Sequence, residues 1–388
     1  MSAEKDPGRI ETLAVRSGER RPGPEGSLVF PIYQGTVYSV EEGQDYHDIA
    51  YIRLNSTPSQ RYLNDKLAAL EGAAAGLATA SGMAAVTTAL LTFLKKGDHL
   101  LAGNCLYGGT HNFLTRDAAN LGLSYTLVDP HRPETWADAI QPNTRLFLVE
   151  SITNPLMRVG RLREVAEFAR QHDLTSIIDN TFATPVNFRP IEVGYDVAFH
   201  SATKYLNGHS DLVAGFVVGS EERVDAIRRM LNHLGGTLDP HAGFLLARGM
   251  KTLALRVKQQ NESGLALARF FAGHPKVLEV NYAGLEDHPD HSHARELMTG
   301  FGGMLSLRIE GGTAGVERLF AALELPYVAP SLGGVETLII QPAKTSHKGM
   351  SPEDRAEMGV TDDLIRISTG IEHADDLIDD FRQALDKV

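Results

Sequence analysis

Ser176-Ile177-Ile178-Asp179-Asn180-Thr181 ends an apolar run on a carboxylate, and 25 positions after that aspartate the chain reads Ser201-Ala202-Thr203-Lys204. The spacing suits an acid at the end of one strand and a lysine just past the next. Around this pair, apolar runs alternate with helix-like segments. Strands are expected at His99–Ala102, Ser124–Val128, Arg145–Glu150, Ser176–Asp179, Val197–His200 and Leu212–Val218. Helices are expected at Arg61–Glu71, Met83–Leu94, around Phe113–Leu121, and at Leu162–His172 and Glu221–Leu234. Strands separated by helices predict the α/β class, a mostly parallel sheet wrapped by helices.

The same stretch suggests a chemistry. A lysine amine between two hydroxyls supplies a Schiff-base nucleophile and phosphate donors, and the upstream acid suits a pyridinium nitrogen. Those are the three needs of pyridoxal 5'-phosphate. Taken singly, a surface lysine and a helix-capping aspartate are equally ordinary.

Length and composition narrow the field. At 388 residues the chain exceeds one ordinary core, so several domains are expected. A formal charge of −12 with no basic block argues against a nucleic-acid partner. Cys105 is the single cysteine, so an internal disulfide is impossible and the cytosol is the natural compartment. Residues 1–26 hold charges and prolines without the apolar centre of a secretory signal. No uncharged run reaches membrane-spanning length. No histidine, cysteine or acidic cluster suggests a metal site.

Three regions follow. Residues 1–58 are rich in Gly, Pro and charge, with aromatics at Phe30, Tyr33, Tyr38, Tyr46 and Tyr51. Such a segment is expected to lie as an arm over another surface, plausibly a second subunit. Residues 59–248 carry the α/β alternation. Residues 249–388 form a smaller α+β unit, with strands at Met304–Ile309 and Thr337–Ile340 and a last helix at Asp375–Leu385. A long helix from Pro240 to about Phe271, broken near Gly249, joins the two.

Further motifs cluster at predicted strand ends. Ser81-Gly82-Met83 opens a helix, where free backbone N–H groups favour a phosphate, although Ser and Gly also cap helices routinely. Tyr107, before Gly108-Gly109, follows a strand and can lay its ring over a ligand or move a proton. Asn154-Pro155 lies past the strand ending at Glu150, at the carboxyl edge where ligands bind in such sheets. Arg366 interrupts the apolar strand Leu364-Ile365-Arg366-Ile367-Ser368; turned inward, its fork fits a carboxylate, and turned outward it faces water. Ser331-Leu332-Gly333-Gly334 is a loop that permits close substrate approach.

Together these motifs resemble the transsulfuration branch of the fold-type I pyridoxal-phosphate enzymes: cystathionine γ-synthase, γ-lyase and β-lyase, methionine γ-lyase and the homoserine sulfhydrylases. The resemblance runs from about residue 30 to the end. It is carried by ASGMAA (80–85), YGGT (107–110), ESITNP (150–155), IDNTFATP (178–185), HSATKYLNGHSDLVAG (200–215), LARGMKTLALRV (246–257), APSLGGVETL (329–338) and LIRISTGIEHADDLI (364–378). It implies that Lys204 carries the cofactor as an aldimine, Asp179 pairs with its ring nitrogen and Tyr107 stacks on the ring. Ser81, Gly82, Met83, Ser201 and Thr203 are implied to hold the phosphate. Tyr51 and Arg53 are implied to reach the phosphate of an adjacent subunit, in a homotetramer built from dimers with shared sites. Arg366, Asn154 and Ser331 are implied to bind the carboxylate of an amino-acid substrate. Lys204 and Tyr107 would be the catalytic pair.

The reaction implied first is γ-replacement like that of a cystathionine γ-synthase, with γ-elimination possible. The alternatives are a cystathionine γ- or β-lyase and an O-acyl-homoserine sulfhydrylase. This sequence departs from the pattern at several positions. Leu54-Asn55-Ser56-Thr57-Pro58 stands where many relatives read Gly-Asn-Pro-Thr. Ala50 and Pro330 stand where several relatives have acids, which weakens binding of a distal ammonium. Gly109 stands where methionine γ-lyases usually carry cysteine.

Overall fold

The computed structural model describes residues 8–19, 23–40, 42–43, 49–345, 355 and 359–388. Tyr46 of the arm lies outside them. Two sheets organise the chain. The first contains β1 (Ala75–Thr79), β2 (His99–Gly103), β3 (Ser124–Val128), β4 (Thr144–Glu150), β5 (Thr175–Asp179), β6 (Val197–His200) and β7 (Gly215–Gly219). Their order is β1-β7-β6-β5-β4-β2-β3. From β6 to β3 all neighbours are parallel, whereas β7 runs antiparallel to both β6 and β1.

Alternation within β4 explains why this sheet is buried on both faces. Leu146 and Leu148 pack into one apolar cluster with Ile177, while Phe147 and Val149 pack into another with Ile178. A strand covered on both faces reads as a continuous apolar run, which is how β4 and β5 read. Polar chemistry is therefore confined to strand ends.

The helix Pro58–Glu71 begins three residues before the expected Arg61. Thr57 and Gln60 form a capping box, Pro58 fills the first turn, and Gly72 ends the helix at φ +67°. β1 was not expected from the sequence. β7 starts at Gly215 rather than Leu212, because Ala214 is occupied by Thr203: the Thr203 amide donates to its carbonyl at 3.1 Å, and its own amide donates to Thr203 Oγ1 at 3.0 Å. The segment expected as a helix around Phe113 is a short helix, Gly108–Asn112, followed by one wide turn and one tight turn. The arm is partly anchored on its own chain, since the helix Ile10–Arg16 buries Leu13 and Ala14 in the main core.

The connecting helix breaks at Lys251 and Thr252, between Pro240–Met250 and Leu253–Ala272. This break fits the loop after Lys204 closely. A side chain at Gly249 would meet the Asn207 carbonyl at 2.3 Å. Buried Arg256 donates to the carbonyls of Tyr205 (2.8 Å), Leu206 (3.4 Å) and Gly249 (3.0 Å), tying that loop to the helix.

The second sheet comprises β8 (Val277–Asn281), β9 (Met304–Ile309), β10 (Tyr327–Val328), β11 (Leu338–Ile340) and β12 (Leu364–Ser368), in the order β10-β11-β12-β9-β8. Its pairs are antiparallel except β10 with β11. Its core, including Leu305, Ile365, Ile367 and Phe381, is separate from those of the first sheet. Among the described residues, no helix is long and apolar enough to cross a membrane.

Candidate active site

The carboxyl ends of β4, β5 and β6 face the Ser331 loop and β12 across a cavity of about 800 Å³. Its lining includes Ser81, Gly82, Met83, Tyr107, Asn154, Asp179, Ser201, Thr203, Lys204, Ser331 and Arg366. Tyr51 and Arg53 are absent from it. Arg53 instead donates to the Asn232 carbonyl at 3.0 Å and lies 5.6 Å over the Tyr51 ring.

Lys204 follows β6 in a turn closed by its amide donating to the Ser201 carbonyl at 3.1 Å. Its Nζ donates to Ser331 Oγ at 2.8 Å. Burial, reinforced by the Arg366 charge, holds the amine below its ordinary pKa. A larger share of the uncharged, nucleophilic form results.

Asp179 is bound by its own turn. Its Oδ1 accepts from the Thr181 amide at 2.9 Å and the Thr181 hydroxyl at 2.5 Å. Thr181 Oγ1 in turn accepts from the Ser201 amide at 2.8 Å, linking the acid to the segment that leads to Lys204. Burial pushes the Asp179 carboxyl up, while Thr181 and His200 oppose the shift. Among the described residues, no cationic side chain forms an ion pair with it.

At the start of the helix Gly82–Phe93, Ser81 Oγ accepts the Ala84 amide at 3.0 Å. The Gly82 and Met83 amides, having no partner within the helix, are left at its open end. A side chain on Gly82 would lie 2.8 Å from Ser201 Cβ, so glycine lets the two segments meet. Tyr107 is half exposed over the cavity, and its amide donates to Glu150 Oε1 at 2.5 Å.

Arg366 is turned inward. β12 lies between β11 and β9, and the residue is 5% exposed. Nη1 donates to Asn154 Oδ1 at 3.1 Å and Nη2 to the Ser331 carbonyl at 2.9 Å, while the buried Nε has no partner. A buried guanidinium braced by two oxygens and left with an unpartnered N–H suits a carboxylate ligand.

This donor set fits pyridoxal phosphate. A helix start beside Ser201 suits a phosphate, a partly buried carboxylate with no counter-ion among the described residues suits a protonated ring nitrogen, and an amine below its ordinary pKa suits an aldehyde. A family model described as Cys/Met metabolism PLP-dependent enzyme matches residues 11–386. The chain belongs to that family.

As a Cys/Met metabolism PLP-dependent enzyme it has near relatives of differing reaction. It is 38% identical over 387 residues to cystathionine gamma-synthase 1, chloroplastic, of Nicotiana tabacum, covering 97% of this chain and 72% of that one. It is 39% identical over 379 residues to the cystathionine gamma-lyase of Bacillus subtilis, covering 97% and 99%. The crystal structure of metB from Corynebacterium glutamicum superposes with a TM-score of 0.93 at 35% identity, covering 98% and 99%.

Two lining residues, Glu150 and Thr181, went unassigned in the sequence reading. Each carried a usable signal. Glu150 closes an apolar strand on an acid as Asp179 does, and Thr181 sits two residues past Asp179, where a hydroxyl can bond back to it.

Proposed function

We propose that the enzyme catalyses γ-replacement on an acylated homoserine with a thiol nucleophile, in the manner of a cystathionine γ-synthase. The observation carrying this reading is the character of the substrate side of the cavity. Beyond Lys204 and Arg366 the lining includes Val213, Pro330, Leu332, Ile340 and Thr345, with Thr110, Asn112 and Phe182 as further uncharged members. Among the described residues, the only carboxylates lining the cavity are Glu150 and Asp179. Among these described residues the distal ammonium of cystathionine finds no counter-ion, which favours releasing cystathionine as a product over holding it as a substrate, whereas an acyl ester needs none.

In this reading Arg366, with Asn154 and Ser331, orients the substrate carboxylate. Ser81, Gly82, Met83, Ser201 and Thr203 hold the cofactor's phosphate, Tyr107 covers its ring, and Asp179 keeps a proton on its ring nitrogen. Bound there, pyridoxal phosphate supplies a cationic conjugated ring that takes up the electron pair released at the substrate's α carbon. Lys204, once free, takes the α-proton and relays protons to the neighbouring carbons. Tyr107, half exposed at the mouth, moves a proton at the departing group. Tyr51 and Arg53, absent from this chain's cavity, serve the phosphate of a partner subunit, so the working unit is at least a dimer.

The position of Gly109 bears on methionine γ-elimination. A side chain there would meet the Tyr107 ring at 2.6 Å and Met83 Sδ at 2.8 Å. Glycine here, where methionine γ-lyases usually carry cysteine, disfavours that reading. Cystathionine cleavage stands second, because the synthase and lyase relatives are nearly equal in identity. The discriminating experiment supplies acylated homoserines with and without cysteine, and cystathionine alone, and measures thioether, 2-oxobutyrate and pyruvate. Thioether formation from the ester and cysteine, outpacing cystathionine cleavage at least tenfold, is expected. Oxo-acid release from cystathionine as the faster reaction would overturn the proposal.

A further inference from the structure

The cavity floor holds two carboxyl groups side by side. Glu150 ends β4 and Asp179 ends β5, and the two are register partners on parallel strands, so both side chains leave the same face. Both line the cavity. Adjacent acids in a dry enclosure do not both ionise; one retains a proton.

The local donors decide which one. Asp179 receives two hydrogen bonds, from the amide and the hydroxyl of Thr181, and feels His200 from the neighbouring strand. Glu150 receives one, from the Tyr107 amide at 2.5 Å, and is 8% exposed. The titratable groups around Glu150 bring it no positive charge. Asp179 faces it from β5. Cys105, from the segment after β2, is a thiol whose pKa burial pushes up, and so it stays neutral. Lys204, after β6, spends its amine on Ser331. Among the described residues, no cationic side chain forms an ion pair with Glu150.

We infer that Glu150 is a neutral carboxylic acid in the working enzyme and a positioning residue for Tyr107, leaving Asp179 as the single negative charge of the cavity floor. Burial and the Asp179 charge, both raising the Glu150 pKa well above the usual carboxylate range, agree with this. With Oε1 accepting the Tyr107 amide, the proton resides on Oε2. The consequence is functional. Tyr107 starts the turn into Gly108–Asn112, and the Glu150 hydrogen bond fixes where that turn begins. A second charge beside Asp179 would raise the proton affinity of any cation bound over the floor; a neutral acid does not.

This inference rests on the reading that Lys204 and Asp179 hold the cofactor, and the test separates the two. Infrared difference spectra of the holoenzyme are expected to show a protonated-carboxyl C=O band that shifts in D₂O and disappears in Glu150→Gln. The pH midpoint of the bound cofactor's absorbance is expected to be the same in Glu150→Gln as in the parent protein. An ionised Glu150 would instead make that midpoint fall by about one unit on losing its charge. Glu150→Ala is expected to lower kcat about tenfold, with Glu150→Gln recovering most of the loss, because an amide oxygen still accepts from Tyr107. A carboxyl band unaffected by Glu150→Gln, or a lowered midpoint in that variant, overturns the inference. Borohydride reduction and peptide mapping of the same samples decide the underlying reading: an unlabelled Lys204 sinks that reading, whereas a labelled Lys204 with no Glu150 band sinks this inference alone.

Discussion

Arg366 and Ser331 meet through the backbone: Nη2 donates at 2.9 Å to the carbonyl of a serine held at φ +104°. The same guanidinium braces Asn154, so one side chain in β12 sets the position of two loops and keeps one buried N–H unpartnered. Lysine cannot reproduce this, having no planar fork. Arg366→Lys is expected to lower kcat/KM about 10- to 100-fold, chiefly through KM, corresponding to one charge-assisted hydrogen bond of about 1.5–3 kcal/mol. Steady-state kinetics on the substrate and on its carboxamide check this. The amide, lacking the charge, should discriminate little between parent and variant.

Ser331 carries a conformational cost and, in the proposed function, a catalytic use. Its positive φ lies in the region that favours glycine, while its hydroxyl accepts from Lys204 at 2.8 Å. Ser331→Gly is therefore expected to leave the melting temperature nearly unchanged while lowering kcat about tenfold. The relieved strain is on the order of 1 kcal/mol, and the lost hydrogen bond is of similar size. Thermal melts and turnover on the same preparation test the opposition. A variant both slower and less stable would show that φ +104° is not strained here.

Asp179→Asn keeps the shape of the turn, since an amide oxygen still accepts from Thr181. The charge opposite the cofactor's ring is lost. Removing such a preorganised electrostatic partner is expected to reduce kcat on the order of 100-fold or more. Borohydride labelling of Lys204 should persist, so the variant would be coloured and slow. Full activity in that variant would exclude an electrostatic role for Asp179.

The candidate site is legible in the sequence because it sits where apolar strands stop. Asp179, Asn154 and Lys204 each follow a run whose covering residues leave no ambiguity about where the strand ends. Arg366 was legible as an oddity but not as an inward-facing group. Its orientation depends on β11 and β9 flanking β12, and pairings over long sequence separations leave no local trace. β1 escaped notice for a different reason. Ala75-Gly76-Leu77-Ala78-Thr79 has weak strand propensity of its own and is held by antiparallel pairing to β7, some 140 residues away. The first turn of Pro58–Glu71, Pro58-Ser59-Gln60, is hard to see in the sequence because it carries none of the apolar stripe of Leu63, Leu67 and Leu70. Glu150 was passed over because its strand end looked like mere punctuation. Only its register with Asp179 makes it chemical.

The loop carrying Asn154 is also latched from the second half of the chain. Asp290 Oδ2 accepts from Arg158 Nε at 2.5 Å and from the Val159 amide at 3.0 Å, and Oδ1 accepts from Arg158 Nη2 at 3.0 Å. Arg158 and Thr153 bond to each other across the loop, at 2.9 and 3.1 Å, with Asn154 between them. These donors, with His131, hold the Asp290 carboxyl far below the usual carboxylate range despite its burial. A group whose folded-state pKa is depressed stabilises above its unfolded value, and that contribution is lost as pH falls below about 4. His131, raised by Asp290 and Asp129, adds a smaller contribution of opposite sense, present below about pH 6.5 and lost as pH rises. Asp290→Asn is expected to cost about 2–3 kcal/mol at pH 6. That is less than for a fully enclosed pair, because the Arg158 side chain is 37% exposed. Urea titrations at several pH values should show the gap between parent and variant narrowing below pH 4 and slightly above pH 7. If Arg158 also positions Asn154, the variant's KM should rise at pH 7 with kcat little changed. A pH-independent stability gap would remove the ion pair from the account and leave the backbone amide of Val159 as the contact that matters.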